Sequence, residues 1–140
     1  MYDQWKKFQP ESRTLRTFEH WLVVQRTRQV TLGSCVFLPK REIAGLPDAS
    51  SEELQELSVV AAWFESKTIE LFRAEKFNYV AAMMKDPYLH FHAFPRYSGP
   101  REAFGRSWAD TSWPKVVQFE DLATEDDLGE AMVLAMQDKS

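Results

Sequence analysis

Hydrophobic and polar positions along the chain follow two rhythms, one helical and one strand-like. Leu54, Leu57, Ala61, Phe64, Thr68 and Leu71 recur at steps of three and four, one stripe of a 3.6-residue period. Glu52, Glu53, Gln55, Glu56, Glu65, Lys67 and Glu70 keep mostly to the other side. Ser50 and Glu53 match a capping box, with Asp48 just upstream. The spacing predicts a helix from Ser50 to about Arg73 that lays its stripe on a sheet.

Strand rhythm surrounds this helix. Residues 17–26 carry Phe18, Trp21, Leu22, Val23 and Val24, and residues 31–38 form a second run bearing Gly33. Thr27-Arg28-Gln29 between them reads as a polar turn, so the two runs should pair antiparallel. Residues 76–84, with Phe77, Tyr79, Val80 and Met83, predict a third strand, and Lys85-Asp86-Pro87 a tight turn. In the following run Tyr88, His90 and His92 share one parity while Leu89, Phe91 and Ala93 share the other. In a strand that alternation sets a phenol and two imidazoles on one face and apolar groups on the opposite one. Pro87 and Pro95 bound the run.

The ends are less regular. Residues 1–16 read as an N-terminal arm packed by Tyr2, Trp5 and Phe8 and interrupted by Pro10. Residues 98–123 read as an irregular segment, with Trp108, Asp110, Trp113 and Pro114, covering an open sheet face. Thr124 with Asp127 offers a second capping pattern, and Leu128, Ala131, Met132 and Ala135 a short C-terminal helix. The sum is one α+β domain over residues 1–140: an antiparallel sheet of about five strands, one long helix and a short C-terminal helix.

Composition narrows the picture. At 140 residues the chain holds one sizeable core, and 44% hydrophobic with 14% aromatic residues argues against disorder. A net charge of −4 gives no global attraction to a nucleic acid polymer or an anionic membrane, so a phosphate-bearing ligand must be held locally. A single cysteine, Cys35, sits in an apolar run; it excludes an internal disulfide and fits a buried thiol in a reducing compartment. No signal-type apolar stretch occupies residues 1–7, and no apolar run is long enough to span a membrane. The expectation is a cytoplasmic protein.

Candidate chemistry centres on the histidine run. Leu89-His90-Phe91-His92-Ala93-Phe94-Pro95-Arg96 resembles the signature strand of the histidine triad (HIT) superfamily, and in particular its bacterial branch resembling dinucleoside polyphosphate hydrolases. The resemblance extends through Phe77-Asn78-Tyr79, residues 46–57 and residues 32–41. Tyr88 stands where the first triad histidine would be, Ser34 where a histidine often follows the glycine, and Glu42 where Pro-Lys-Arg usually leads to an imidazole.

The resemblance implies a homodimer and no cofactor. It casts His90 as the nucleophile that forms a covalent phospho-histidine, with His92 orienting the phosphate. Tyr88 takes the place of the leaving-group acid, although a phenol with a pKa near 10 is a poor proton shuttle at neutral pH. Asn78, Ser34 and Arg96 are candidate nucleotide contacts, each with a structural role as the alternative. Lys40 and Arg41 read as a solvated loop, and His20 as a structural or surface histidine. Two functional readings follow: a HIT-like hydrolase or nucleotidyl transferase acting on a dinucleoside polyphosphate or nucleoside phosphoramidate, or a noncatalytic nucleotide-binding relative. A metal site from His90, His92 and Asp86 lacks a further ligand of suitable spacing, so no metal is expected.

Overall fold

The computed structural model describes residues 3–119 and 130–137. A 3₁₀ turn, Asp3–Phe8, leads into a short helix α1 (Pro10–Arg13) and then strands β1 (Thr14–Thr17), β2 (Trp21–Gln25) and β3 (Cys35–Pro39). The long helix α2 (Ser51–Phe72) follows, then β4 (Lys76–Val80), β5 (Phe91–Arg96), a small hairpin β6 (Arg101–Ala103) and β7 (Arg106–Trp108), and helix α3 (Glu130–Met136). Five strands form one antiparallel sheet in the order β1-β2-β3-β5-β4. The α+β architecture is thus as the patterning indicates: a five-stranded antiparallel sheet, one long helix and a short C-terminal helix.

Helix α2 begins where its chemistry places it. The Ser50 side chain accepts from the Glu53 N–H, and the Glu53 carboxylate accepts from the Ser50 N–H, closing the capping box. Arg73 ends the helix in the left-handed region at φ 58°. The buried stripe is Val60, Phe64, Thr68 and Phe72, while Leu54 and Leu71 lie at its exposed margins. The axis of the stripe is therefore rotated from the one that Leu54 and Leu71 suggest, because Val60 and Phe72 face the sheet.

Both faces of the central strands are covered. Trp21, Val23, Cys35, Phe37 and Ala93 pack with α2, and Met132 and Met136 of α3 join the same core. On the other face Leu22, Val24, Val36 and Leu38 pack against Trp5 of the N-terminal arm, with Phe8 and Tyr88 at the margin. Full burial of β2 and β3 follows, and their continuous apolar runs suit strands covered on both sides.

Several boundaries differ from the expectations. Residues 17–26 are not one strand: the chain turns at Phe18, whose N–H bonds Trp21 O at 2.8 Å, and β1 starts earlier at Thr14. Residues 31–34 form a turn that precedes β3, because Gly33 takes φ +87°. A Cβ at Gly33 would lie 3.3 Å from both Pro95 and Thr68, so helix and strand approach here as only glycine permits. The third strand ends at Val80, and Tyr88 to His90 run into β5 without joining its ladder. Residues 98–119 include the β6–β7 hairpin, so this segment is not wholly irregular. The suggested cap at Thr124 and Asp127, Leu128, and residues 120–123 of the covering segment lie outside the described residues. In α3 the buried residues are Met132, Val133 and Met136, whereas Ala131 and Ala135 are exposed.

Candidate functional site

The histidine run reaches the sheet face that carries the N-terminal arm. His92 pairs with Val36 across β3 and β5, and Val36 belongs to the cluster under Trp5. His90, just ahead of the ladder, falls on the same face, with the two imidazole centroids 5.1 Å apart. Tyr88 follows them and packs edge-on against Trp5 at 6.4 Å. The alternation read from sequence therefore holds in space for all three side chains.

The two imidazoles are set in complementary states. His90 Nδ1 lies 2.8 Å from the Tyr88 carbonyl oxygen. A carbonyl oxygen only accepts, so Nδ1 carries the proton, and in the neutral ring Nε2 keeps a lone pair. His92 is the reverse: Arg26 Nε donates to its Nδ1 at 3.2 Å, which leaves the proton on Nε2. Burial, then the charge of Arg26, depress His92 to about 3, so it is a neutral donor at physiological pH. A lone pair and an N–H thus stand side by side.

Tyr88 is engaged elsewhere. Glu42 holds the phenol above its ordinary value, first as a hydrogen-bonding carboxylate and then through its charge. Two of the three positions that depart from the pattern, Tyr88 and Glu42, thus act on each other. Glu42 lies in the loop after β3, whose Arg41 makes a bidentate pair with Glu53 at 2.8 and 2.7 Å. Arg41 is thus an anchor of the α2 N-terminus, where the sequence suggests a solvated loop.

The remaining site candidates lie in hydrogen-bond networks. Ser34 is fully buried, and its hydroxyl donates to Thr31 O at 2.6 Å. With Gln29, which accepts from the Gly33 and Ser34 N–H groups and donates to Arg26 O and Ser34 O, it locks the β2–β3 turn. Arg96 makes a buried bidentate pair with Asp110 at 2.6 and 2.9 Å and donates to Asn78 Oδ1 at 2.6 Å. Asn78 also accepts from the Val117 N–H. This network ties the covering segment to the sheet and brings Phe119 against His92 and Phe94, at 5.5 and 5.0 Å between rings.

A cavity of about 480 Å³ opens beside His92. Its cations are Lys7 from the arm, Arg26 and Arg28 from the β2–β3 turn, and Lys85 from the turn before Tyr88. Phe8 and Phe119 supply aromatic walls, and Asp86, paired with Lys7 at 2.7 Å, is its carboxylate. Burial and then Arg28 bring Arg26 down to about 10, so it stays cationic at neutral pH. Its guanidinium lies 5.4 Å from the ring centres of both Phe94 and Phe119. These cations are not legible in the sequence because they come from three separated stretches. The sole local hint, Arg26-x-Arg28, reads equally as a polar turn.

His90 itself is covered. It is 3% exposed beneath Trp5 and Phe8, whose rings stand 5.5 and 5.8 Å away, and it does not line the cavity. Among the described residues one group has the make-up of a metal site, namely Glu19, His20 and Glu56, with ligand atoms within 4.8 Å of one another. The His20 N–H already bonds the Glu56 carboxylate there. His90, His92 and Asp86 do not form such a group. No described helix is long and apolar enough to cross a membrane.

No family model matches the sequence, and no curated protein does. The fold, by contrast, matches solved structures. A histidine triad protein from Bradyrhizobium japonicum superposes with a TM-score of 0.70 at 16% identity, over 97% of this chain and 93% of that one. A hypothetical histidine triad nucleotide-binding protein from Sulfolobus tokodaii gives 0.67 at 15% identity, over 95% and 86%. The NitFhit protein of C. elegans gives 0.56 at 24% identity over 62% of this chain, which spans 22% of that longer protein.

Proposed function

We propose that this chain, whose fold is that of the histidine triad proteins, is a nucleotide-binding hydrolase or nucleotidyl transferase. Its substrate in this reading is a nucleoside phosphate compound of the dinucleoside polyphosphate or nucleoside phosphoramidate type. The observation that carries the reading is the pair of imidazoles, with a lone pair on His90 Nε2 beside a proton on His92 Nε2. The Sulfolobus neighbour, described as nucleotide-binding, supports it.

The chemistry follows from those two atoms. His90 Nε2 attacks phosphorus; the N–P bond forms as the bond to the leaving group breaks, and the leaving group takes that electron pair and a proton. Water then attacks the phospho-histidine, the N–P electron pair returns to Nε2, and the proton of water is released. Throughout, His92 Nε2–H donates to a phosphate oxygen. Tyr88, its phenol raised by Glu42, is a weak acid for the first step, so activated leaving groups should depart far faster than basic ones. Because Phe8 and Trp5 cover His90, the approach of phosphorus requires Phe8, the more exposed of the two, to move.

The covered nucleophile and the diverted phenol favour a second reading, a noncatalytic or weakly active nucleotide-binding relative. Loss of an acid alone costs about 10²–10⁴-fold in rate. We also infer a homodimer and, from the free buried Cys35, a cytoplasmic setting.

Turnover of a dinucleoside polyphosphate and a nucleoside phosphoramidate separates the readings. His90→Ala, with His90→Gln as a volume-keeping second variant, should abolish turnover while the melting transition persists. Tyr88→His should raise the rate on basic leaving groups by about tenfold or more. Undetectable turnover in wild type and Tyr88→His alike, with nucleotide binding retained, favours the binder. The absence of thermal stabilisation by any nucleotide at millimolar concentration would remove both.

A further inference from the structure

We propose that Glu19, His20 and Glu56 bind a divalent transition ion of the zinc type, which clips the turn between β1 and β2 to helix α2. The site lies on the α2 side of the sheet, away from the arm and the two imidazoles beneath it, so it does not rest on the nucleotide reading.

The ligand set comes first. Each residue offers one donor atom, an imidazole nitrogen or a carboxylate oxygen, and the three lie within 4.8 Å of one another. Around a tetrahedral zinc ion, with bonds of about 2.0–2.2 Å, neighbouring donors stand about 3.4 Å apart. Closing onto an ion therefore takes a shift of about 1 Å, within reach of side-chain rotation at the exposed Glu19 and the half-buried Glu56. In an extended strand Glu19 and His20 would point apart; at the bend between β1 and β2 their donor atoms converge.

The backbone around these side chains is held in place. The His20 N–H donates to Glu56 Oε1 at 2.7 Å, and its carbonyl oxygen accepts from the Lys40 N–H at 2.9 Å. On one flank Trp21 Nε1 donates to Glu53 O at 2.9 Å, and on the other Phe18 stands edge-on to Trp63 at 6.2 Å. The turn is thus docked on α2 without an ion, so little ordering opposes binding. Among the described residues the His20 ring and the Glu19 carboxylate enter no hydrogen bond or ion pair, and Glu56 keeps its second oxygen. Two carboxylates this close repel one another, and a bound dication relieves the repulsion. Magnesium and calcium take oxygen ligands, whereas an imidazole turns the preference toward zinc, cobalt and nickel. Three protein donors leave a position for water.

Calorimetric titration of the chelator-treated full chain with zinc chloride and with magnesium chloride tests the site. Zinc should bind at one ion per chain, about tenfold tighter than magnesium or more. Glu56→Gln keeps an acceptor for the His20 N–H and removes a charged ligand, so its melting temperature in chelator should match wild type. Glu56→Gln and His20→Ala should each weaken zinc by about tenfold or more. Added zinc should raise the melting temperature of wild type and leave that of both variants in place. His92→Gln should bind zinc as wild type does. Zinc binding kept in Glu56→Gln and lost in His92→Gln would overturn the site, as would magnesium bound as tightly as zinc or no zinc bound at all.

Discussion

His92 is a base held in a place that disfavours its charged form. Burial and the neighbouring Arg26 bring it to about 3, against about 6.5 for a free imidazole. In the unfolded chain it would bind a proton below that ordinary value, and in the folded chain it would not. Its contribution is therefore complete above about pH 6.5 and is lost as pH falls toward 3. His92→Gln keeps an acceptor for Arg26 and removes the titration. Between pH 7 and pH 5 the variant should lose less stability than wild type, by on the order of 1–2 kcal/mol in urea unfolding; equal losses would contradict the assigned neutral state. The positions of His90 and His92 were legible in sequence because a two-residue period needs only the strand itself. Arg26, Arg28, Lys7 and Lys85 were not, since nothing local says that four cations from three separate stretches border one cavity. Asn78, Ser34 and Arg96 drew notice as polar residues beside the motif, and the structure shows their bonds going to Arg96, Thr31 and Asp110 respectively.

Helix α2 announces itself because its cap and its period are both local signals. The N-terminal arm has none of these, and its place is set by two aromatic side chains. Trp5 is fully buried and donates from Nε1 to Pro39 O at 2.9 Å, which pins the arm across β3. Phe8 is half-buried and touches both imidazoles. The two should therefore respond differently to truncation. Trp5→Ala removes a core side chain and should cost about 3–5 kcal/mol. Phe8→Ala should cost less, yet uncover His90. Diethylpyrocarbonate should then modify His90 several-fold faster than in wild type, with mass spectrometry locating the adduct. An unchanged rate would mean that Phe8 does not guard the nucleophile. The arm was expected as an aromatic-packed segment; that it covers the histidine face follows from the antiparallel order of the strands, which sequence rhythm does not specify.

At the scale of the whole molecule, the strand order leaves β4 at one edge of the sheet, paired with β5 on one side and with no strand on its outer side among the described residues. An open edge beside exposed apolar surface invites pairing with another strand. Beside this edge an apolar cavity of about 370 Å³ is lined by Phe37, Leu57, Ala61 and Phe91, with Leu54 and Tyr79 at 42% and 38% exposure. No Lys, Arg, Asp or Glu lines it, in contrast to the basic cavity beside His92. A second copy of the chain, bringing the same edge and the same apolar surface, satisfies both features through a two-fold axis. The expected mass by light scattering is therefore twice 16.3 kDa at micromolar concentration. Leu54→Glu should return the chain to 16.3 kDa, because a charge would be buried without a partner at the interface. On the exposed flank of α2 the same substitution should change monomer stability by only about 0.5 kcal/mol. A wild-type chain that is strictly monomeric, or a Leu54→Glu variant that still dimerises, would show that this edge is not where two copies meet.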